Sequence, residues 1–110
     1  MSEKETSPLT EAMNRLWAKF LPQMQERVAT LQRAAASASS GTLDVAQRQE
    51  ASSSAHKLAG VLGTFGLQAG TDLAREAELI YAGPLESSPA VFPRLSEIAQ
   101  QLQSIVESRR

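Results

Sequence analysis

His56 is the sole histidine of this 110-residue chain, and it heads the run AHKLAGVLGTFG with glycines four, seven and ten residues beyond it. An imidazole in water is largely neutral near pH 7, which leaves one ring nitrogen with a free lone pair that can attack phosphorus. On a helix, residues four and seven apart lie over one another, so Gly60 and Gly63 stack beside His56 and bare its ring to an approaching body. A glycine inside a helix is about 1 kcal/mol worse than alanine. Two of them on one face therefore point to a close approach by another molecule.

Other chemistry for this histidine lacks its companions. A hydrolytic triad needs a nucleophile and an acid around the ring. Ser52 and Ser53 share its face, but no GxSxG elbow occurs. A kinase needs a nucleotide site, and neither a GxxxxGK loop nor a kinase glycine loop is present. With no cysteine and one histidine, thiolate catalysis, disulfides and His/Cys metal sites are excluded; neither metal nor cofactor is expected. Eleven basic against twelve acidic side chains give a net charge of -1. That is no footprint for nucleic acid or an anionic membrane. The start MSEKETSPLTE lacks an apolar core, and no later stretch nears the ~18 apolar residues of a membrane span. A cytoplasmic protein is the expectation.

The elements that must carry His56 read as helices throughout, with no period-two alternation of strand length. Residues 1–7 are polar and read as a flexible N-terminus; 8–110 make one domain. Leu9, Met13, Leu16, Phe20, Met24, Val28 and Leu31 form a helical stripe broken by Pro22. This predicts a short helix over 9–20 and a longer one over 22–37, a kinked single helix being the alternative. SASSGT at 37–42 reads as a loop, with Gly41 as stop and Thr42 as N-cap of the next helix. That helix, over 43–65, buries Ala51, Ala55, Leu58, Leu62 and Phe65. The projection puts His56 opposite, among Gln49, Ser52, Ser53, Ala59, Gly60 and Gly63, which form a small polar docking face. Gly66 predicts a left-handed cap. A third helix over 67–81 has the stripe Leu67, Leu73, Ala77 and Ile80, ended by Gly83 and Pro84. The last takes Val91, Leu95, Ile98, Leu102 and Ile105, starting either at Ser88-Pro89 or at Pro93. The architecture is all-α: an antiparallel four-helix bundle with a short extra N-terminal helix. Trp17, with Leu16, Phe20 and Met24, packs over its end. Arg75, Glu76 and Glu78 read as solvated charges, Arg75 and Glu78 being candidates to border the histidine.

The segment AHKLAGVLGTFGLQAG resembles the histidine-containing phosphotransfer (HPt) domains of bacterial two-component phosphorelays. Their motif is a histidine with an apolar residue at +2, glycine at +4 and often glycines at +7 and +10; Leu58, Gly60, Gly63 and Gly66 stand there. The detailed likeness spans about residues 51–82. It implies that His56 accepts a phosphoryl group from the aspartate of a response-regulator receiver domain and passes it to another. The implied partners are receivers and a hybrid histidine kinase, and the chain has no kinase activity of its own. Gly60 and Gly63 would admit the receiver's acidic pocket. Many members carry lysine at +3, to balance the phosphoryl charge; here that position is Ala59. Lys57 at +1, turned about 100° from His56, is left as the candidate cationic helper. Two rivals stand beside this reading: a helical interaction module with an idle histidine, and a hydrolase using Ser52 or Ser53.

Overall fold

The computed structural model describes residues 7–83 and 90–109. Four helices, α1 Pro8–Ser40, α2 Val45–Thr64, α3 Gln68–Ala82 and α4 Val91–Arg109, account for nearly all of them, and the described residues contain no strand. Each helix packs on its neighbours in the ring α1–α2–α3–α4, most extensively α2 on α3 and α1 on α4, and the buried side chains of all four form one core. Arg48, His56 and Ala59 along α2 meet Tyr81, Glu78 and Thr71 along α3, so the partner's number falls as the residue's rises. That pair is antiparallel, as the three-residue connection between the helices requires. α1 and α4 run antiparallel too, Asn14 meeting Arg109 and Gln32 meeting Gln103.

α1 is one continuous helix of 33 residues rather than two. Ser7, placed by the sequence reading in the loose N-terminus, is its N-cap, its Oγ accepting from the Thr10 N–H at 3.0 Å, and Pro8 takes the first position. Pro22 removes one i→i−4 bond on an exposed face. Trp17 before it and Met24, Val28 and Leu31 after it are all buried in the core. Each buried side chain stabilises by roughly 1.5–3 kcal/mol, so the continuous apolar seam outweighs the one lost bond. The helix also runs through residues 37–40, which the sequence reading placed in a loop. Gly41 ends it at φ 76°, with the Gly41 N–H donating to the Ala38 carbonyl and the Thr42 N–H to Ser37.

Thr42 thus closes α1 instead of opening α2. The N-cap of α2 is Asp44, in a capping box: its carboxylate accepts from the Gln47 N–H at 2.7 Å and the Gln47 side chain accepts from the Asp44 N–H at 3.2 Å. Gly66, at φ 72°, makes the left-handed turn into α3 that its position predicts. On α3 the core face is Gly70, Thr71, Ala74, Ala77 and Tyr81, while Leu73 and Ile80 of the predicted stripe are half-buried at its edge. Small residues face α2 because the two helices lie close: a Cβ on Gly70 would stand 2.8 Å from Leu62 Cδ1. α4 starts at Val91, with Pro93 in its first turn, where an N–H has no intrahelical acceptor in any case. Its buried face is Leu95, Ile98, Ala99, Leu102 and Val106, with Ile105 half-buried. Residues 1–6, Pro84, Ser88 and Pro89 lie outside the described residues.

At one end of the bundle Trp17 meets Phe65 edge-on at 5.0 Å, and the Arg109 guanidinium lies 5.0 Å over the Trp17 ring. Beside the α3–α4 seam, Arg94 forks onto both oxygens of Glu76 at 2.7 and 2.6 Å, a hydrogen-bonded pairing that holds the Glu76 carboxyl below its ordinary pKa. No helix among the described residues is long and apolar enough to cross a membrane.

Candidate functional site

Ala51, Ala55, Leu58 and Leu62 bury one stripe of α2 completely. His56, on the opposite side, keeps 73% of its side chain in solvent. Its Nδ1 lies 2.9 Å from Glu78 Oε2 of α3, a carboxylate only 29% exposed. A neutral ring that donates its proton from Nδ1 to this acceptor keeps its lone pair on Nε2, the nitrogen left free toward solvent. The ring bonds the carboxylate rather than either neighbouring hydroxyl.

Around His56 runs an open groove of about 550 Å3 between α2 and α3, lined among others by Gln49, Ser52, Ser53, Glu78 and Tyr81. Three of the sequence-predicted docking residues, Gln49, Ser52 and Ser53, therefore border the histidine. Gly60 and Gly63 are exposed on the same helix beyond it. A Cβ built on Gly60 meets no atom within 4 Å, and one on Gly63 meets only Thr71 Oγ1 at 3.4 Å. Packing among the described residues thus gives no reason for a glycine at 60.

Two assignments need correcting. Ala59 is not on the exposed face: it is 3% exposed in the α2–α3 seam, and its carbonyl accepts from the Thr71 hydroxyl at 3.1 Å. The small side chains of α3 let that helix ride over a position which a projection of α2 alone leaves open. Lys57 does not join His56 either. It lines a separate groove between α1 and α2, with Gln23, Glu26 and Arg27.

Glu78, which the sequence offers as a bordering charge without fixing its place, is the one that reaches the ring; nothing in the sequence sets the register of α3 against α2. Arg48 carries no signal in the sequence; it lines the groove, but its Nε donates to the Tyr81 carbonyl at 2.8 Å and its Nη2 to the Gly83 carbonyl. Tyr81 is 2% exposed, its hydroxyl has no partner among the described residues, and burial pushes its pKa up to about 12.

A helical bundle that holds out one imidazole, backed by a carboxylate and flanked by bare glycines, has the form of a histidine phosphotransfer module. Residues 15–108 match the family described as Hpt domain, and the chain belongs to that family, whose members are phosphotransfer modules of two-component signalling and not kinases. It is also similar to Protein RcaC of Microchaete diplosiphon, 28% identical over 95 residues, which are 86% of this chain and 15% of that protein. The chain thus spans about a seventh of the length of that relative. No solved structure matches significantly.

Proposed function

We propose that His56 is the phosphoryl-accepting residue of a two-component phosphorelay, taking the group from the aspartyl phosphate of one receiver domain and passing it to the aspartate of another. The observation that carries this reading is the His56–Glu78 pair: an exposed ring whose Nδ1 is held at 2.9 Å by a carboxylate has Nε2 free and outward. The Nε2 lone pair attacks phosphorus, the N–P bond forms, and the P–O bond to the aspartate breaks as the carboxylate leaves. The ring gains positive charge while Nδ1 keeps its proton, and the Glu78 carboxylate beside it stabilises that charge. Attack by a second receiver's aspartate on the phosphorus reverses the step and returns the neutral imidazole.

Gly60 and Gly63 supply the clearance for a receiver to bring its aspartate onto Nε2, and Gln49, Ser52 and Ser53 form the rim it meets. Of the basic side chains, Arg48 lines the groove with two of its donors committed to the end of α3, and Lys57 faces another groove. This reading gives most of the neutralisation of the phosphoryl charge to the partner's pocket. Receiver domains and a hybrid kinase are the partners this reading requires, and it places the protein in the cytoplasm.

The test is incubation with phosphorylated receiver domains. Acid-labile, alkali-stable label should appear on the wild-type protein and be absent from His56→Gln. Label that persists in His56→Gln removes His56 from the mechanism. Absence of any label across a full set of receivers favours an idle interaction module.

A further inference from the structure

Arg48 lies two turns before His56 on α2 and reaches across to the end of α3, where its guanidinium donates to the carbonyls of Tyr81 and Gly83. The Tyr81 carbonyl is among the last of the helix, which lack intrahelical donors and carry the negative end of its dipole, and Gly83 is the extended C-cap just beyond it. α3 has no basic residue in its own last turn and no side-chain cap at its start. The cation that its C-terminal end lacks comes from another helix.

Tyr81 follows Glu78 by three residues on the same face of α3, and both line the groove with His56 and Arg48. The α2–α3 groove thus holds two successive ties, Arg48 to the Tyr81 backbone and His56 to the Glu78 side chain. Any displacement of the last turn of α3 carries the Glu78 carboxylate with it. Hydrogen-bond direction is strict: beyond about 3.5 Å the contact with Nδ1 is lost.

We infer that Arg48 is a positioning residue: by pinning the last turn of α3 to α2 it keeps Glu78 on Nδ1 of His56 and so fixes which ring nitrogen is free. The effect on phosphoryl transfer rests on the proposed function; the effect on the ring does not. Of the other charged side chains on α2 and α3, Lys57 lines the α1–α2 groove, Glu76 is paired with Arg94, and Arg75 is exposed one turn before Glu78.

Because the chain has one histidine, nitrogen-15 spectra of the imidazole report His56 alone, and at a pH where the ring is neutral they separate the Nδ1–H from the Nε2–H tautomer. The wild-type ring should be mainly Nδ1–H. Glu78→Ala should shift it toward Nε2–H, Arg48→Ala should shift it the same way, and the double variant should go no further than Glu78→Ala. Arg48→Lys, which keeps the charge but not the fork, should fall between. If Arg48→Ala fails to fold, Arg48→Lys decides: a shifted tautomer supports the role and a wild-type one overturns it. A folded Arg48→Ala that melts lower yet keeps the wild-type tautomer makes Arg48 a stabilising contact only. In labelling by a phosphorylated receiver, Arg48→Ala and Glu78→Ala should each slow transfer about two- to fivefold, without adding in the double variant. A wild-type protein that takes no label defeats the relay reading and leaves the tautomer result standing.

Discussion

Substituting Gly60 by alanine separates what the fold needs from what a partner needs. The added methyl enters open space, since a Cβ there has no atom within 4 Å, and the backbone of Gly60 is helical. Nothing among the described residues opposes it. Alanine is about 1 kcal/mol better than glycine in a helix interior, so Gly60→Ala should stabilise the bundle by about that amount and raise its melting temperature by roughly 4 °C. The methyl stands one turn beyond His56 on the same face, with the two Cβ atoms about 5–6 Å apart. In the proposed relay, an aspartate coming in line with Nε2 would bring its own backbone over this spot. A methyl that holds the receiver back by even 1 Å should slow transfer by one to two powers of ten, given how steeply such reactions depend on placement. Thermal melts and single-turnover labelling from a phosphorylated receiver read the two effects separately. A variant that melts higher and transfers at the wild-type rate would refute the idea that the glycine exists for close approach; one that melts lower would refute the open space itself. Gly70→Ala is the opposite case. Its Cβ would press on Leu62 Cδ1 at 2.8 Å and meet Ile105 Cγ2 at 3.4 Å, so it should destabilise by about 1–3 kcal/mol through overpacking.

Lys57→Ala should leave labelling within about twofold of wild type, because this ammonium lines the α1–α2 groove away from the histidine; a loss of tenfold or more in the same single-turnover assay would return it to the phosphoryl site. Tyr81→Phe should hold or raise the melting temperature at pH 7, since it removes a buried hydroxyl with no partner among the described residues, a group worth roughly 1–3 kcal/mol when left unbonded. The same variant tests a pH dependence. The folded protein raises the phenol pKa from 10.0 to about 12, so the neutral phenol's contribution is intact below pH 10 and is lost as pH rises toward 12. Two pH units correspond to roughly 3 kcal/mol. Denaturant titrations of the wild type between pH 10 and 12 should show this decline, and Tyr81→Phe should flatten it; an equally steep decline in the variant would assign alkaline unfolding to another group.

The parts of the site that the sequence discloses are those set within one helix. His56, Gly60 and Gly63 share a face of α2 by spacing alone, and the capped turn at Gly66 depends on neighbours in the chain. Glu78 and Arg48 depend on the register of α3 against α2, which is decided by how closely the two helices approach. That distance in turn rests on Gly70, Ala74 and Ala77, residues whose significance lies in having little side chain. A search for large apolar residues therefore draws the stripe of α3 through Leu73 and Ile80 and takes only Ala77 from the real contact face. The same close approach buries Ala59, which a projection of α2 in isolation leaves among the docking residues. Pro22 errs in the other direction: local chemistry says break, and a core that extends from Trp17 to Leu31 on either side of it says continue.

Gly60 and Gly70 look alike as letters, each a glycine within a predicted helix, yet they stand for opposite physics. At Gly70 the missing side chain is filled by Leu62 and Ile105 of the same molecule, so the glycine's helical penalty is offset by packing. At Gly60 no described residue fills the space, and packing among them leaves the penalty uncompensated. An uncompensated glycine one turn from an exposed imidazole, with Nδ1 already engaged by Glu78, makes sense when another surface completes the contact. The idle-module reading keeps the bare face but gives no reason for a carboxylate to fix the ring with Nε2 outward. The relay reading needs both features, and needs them on the same side of α2, where they are found.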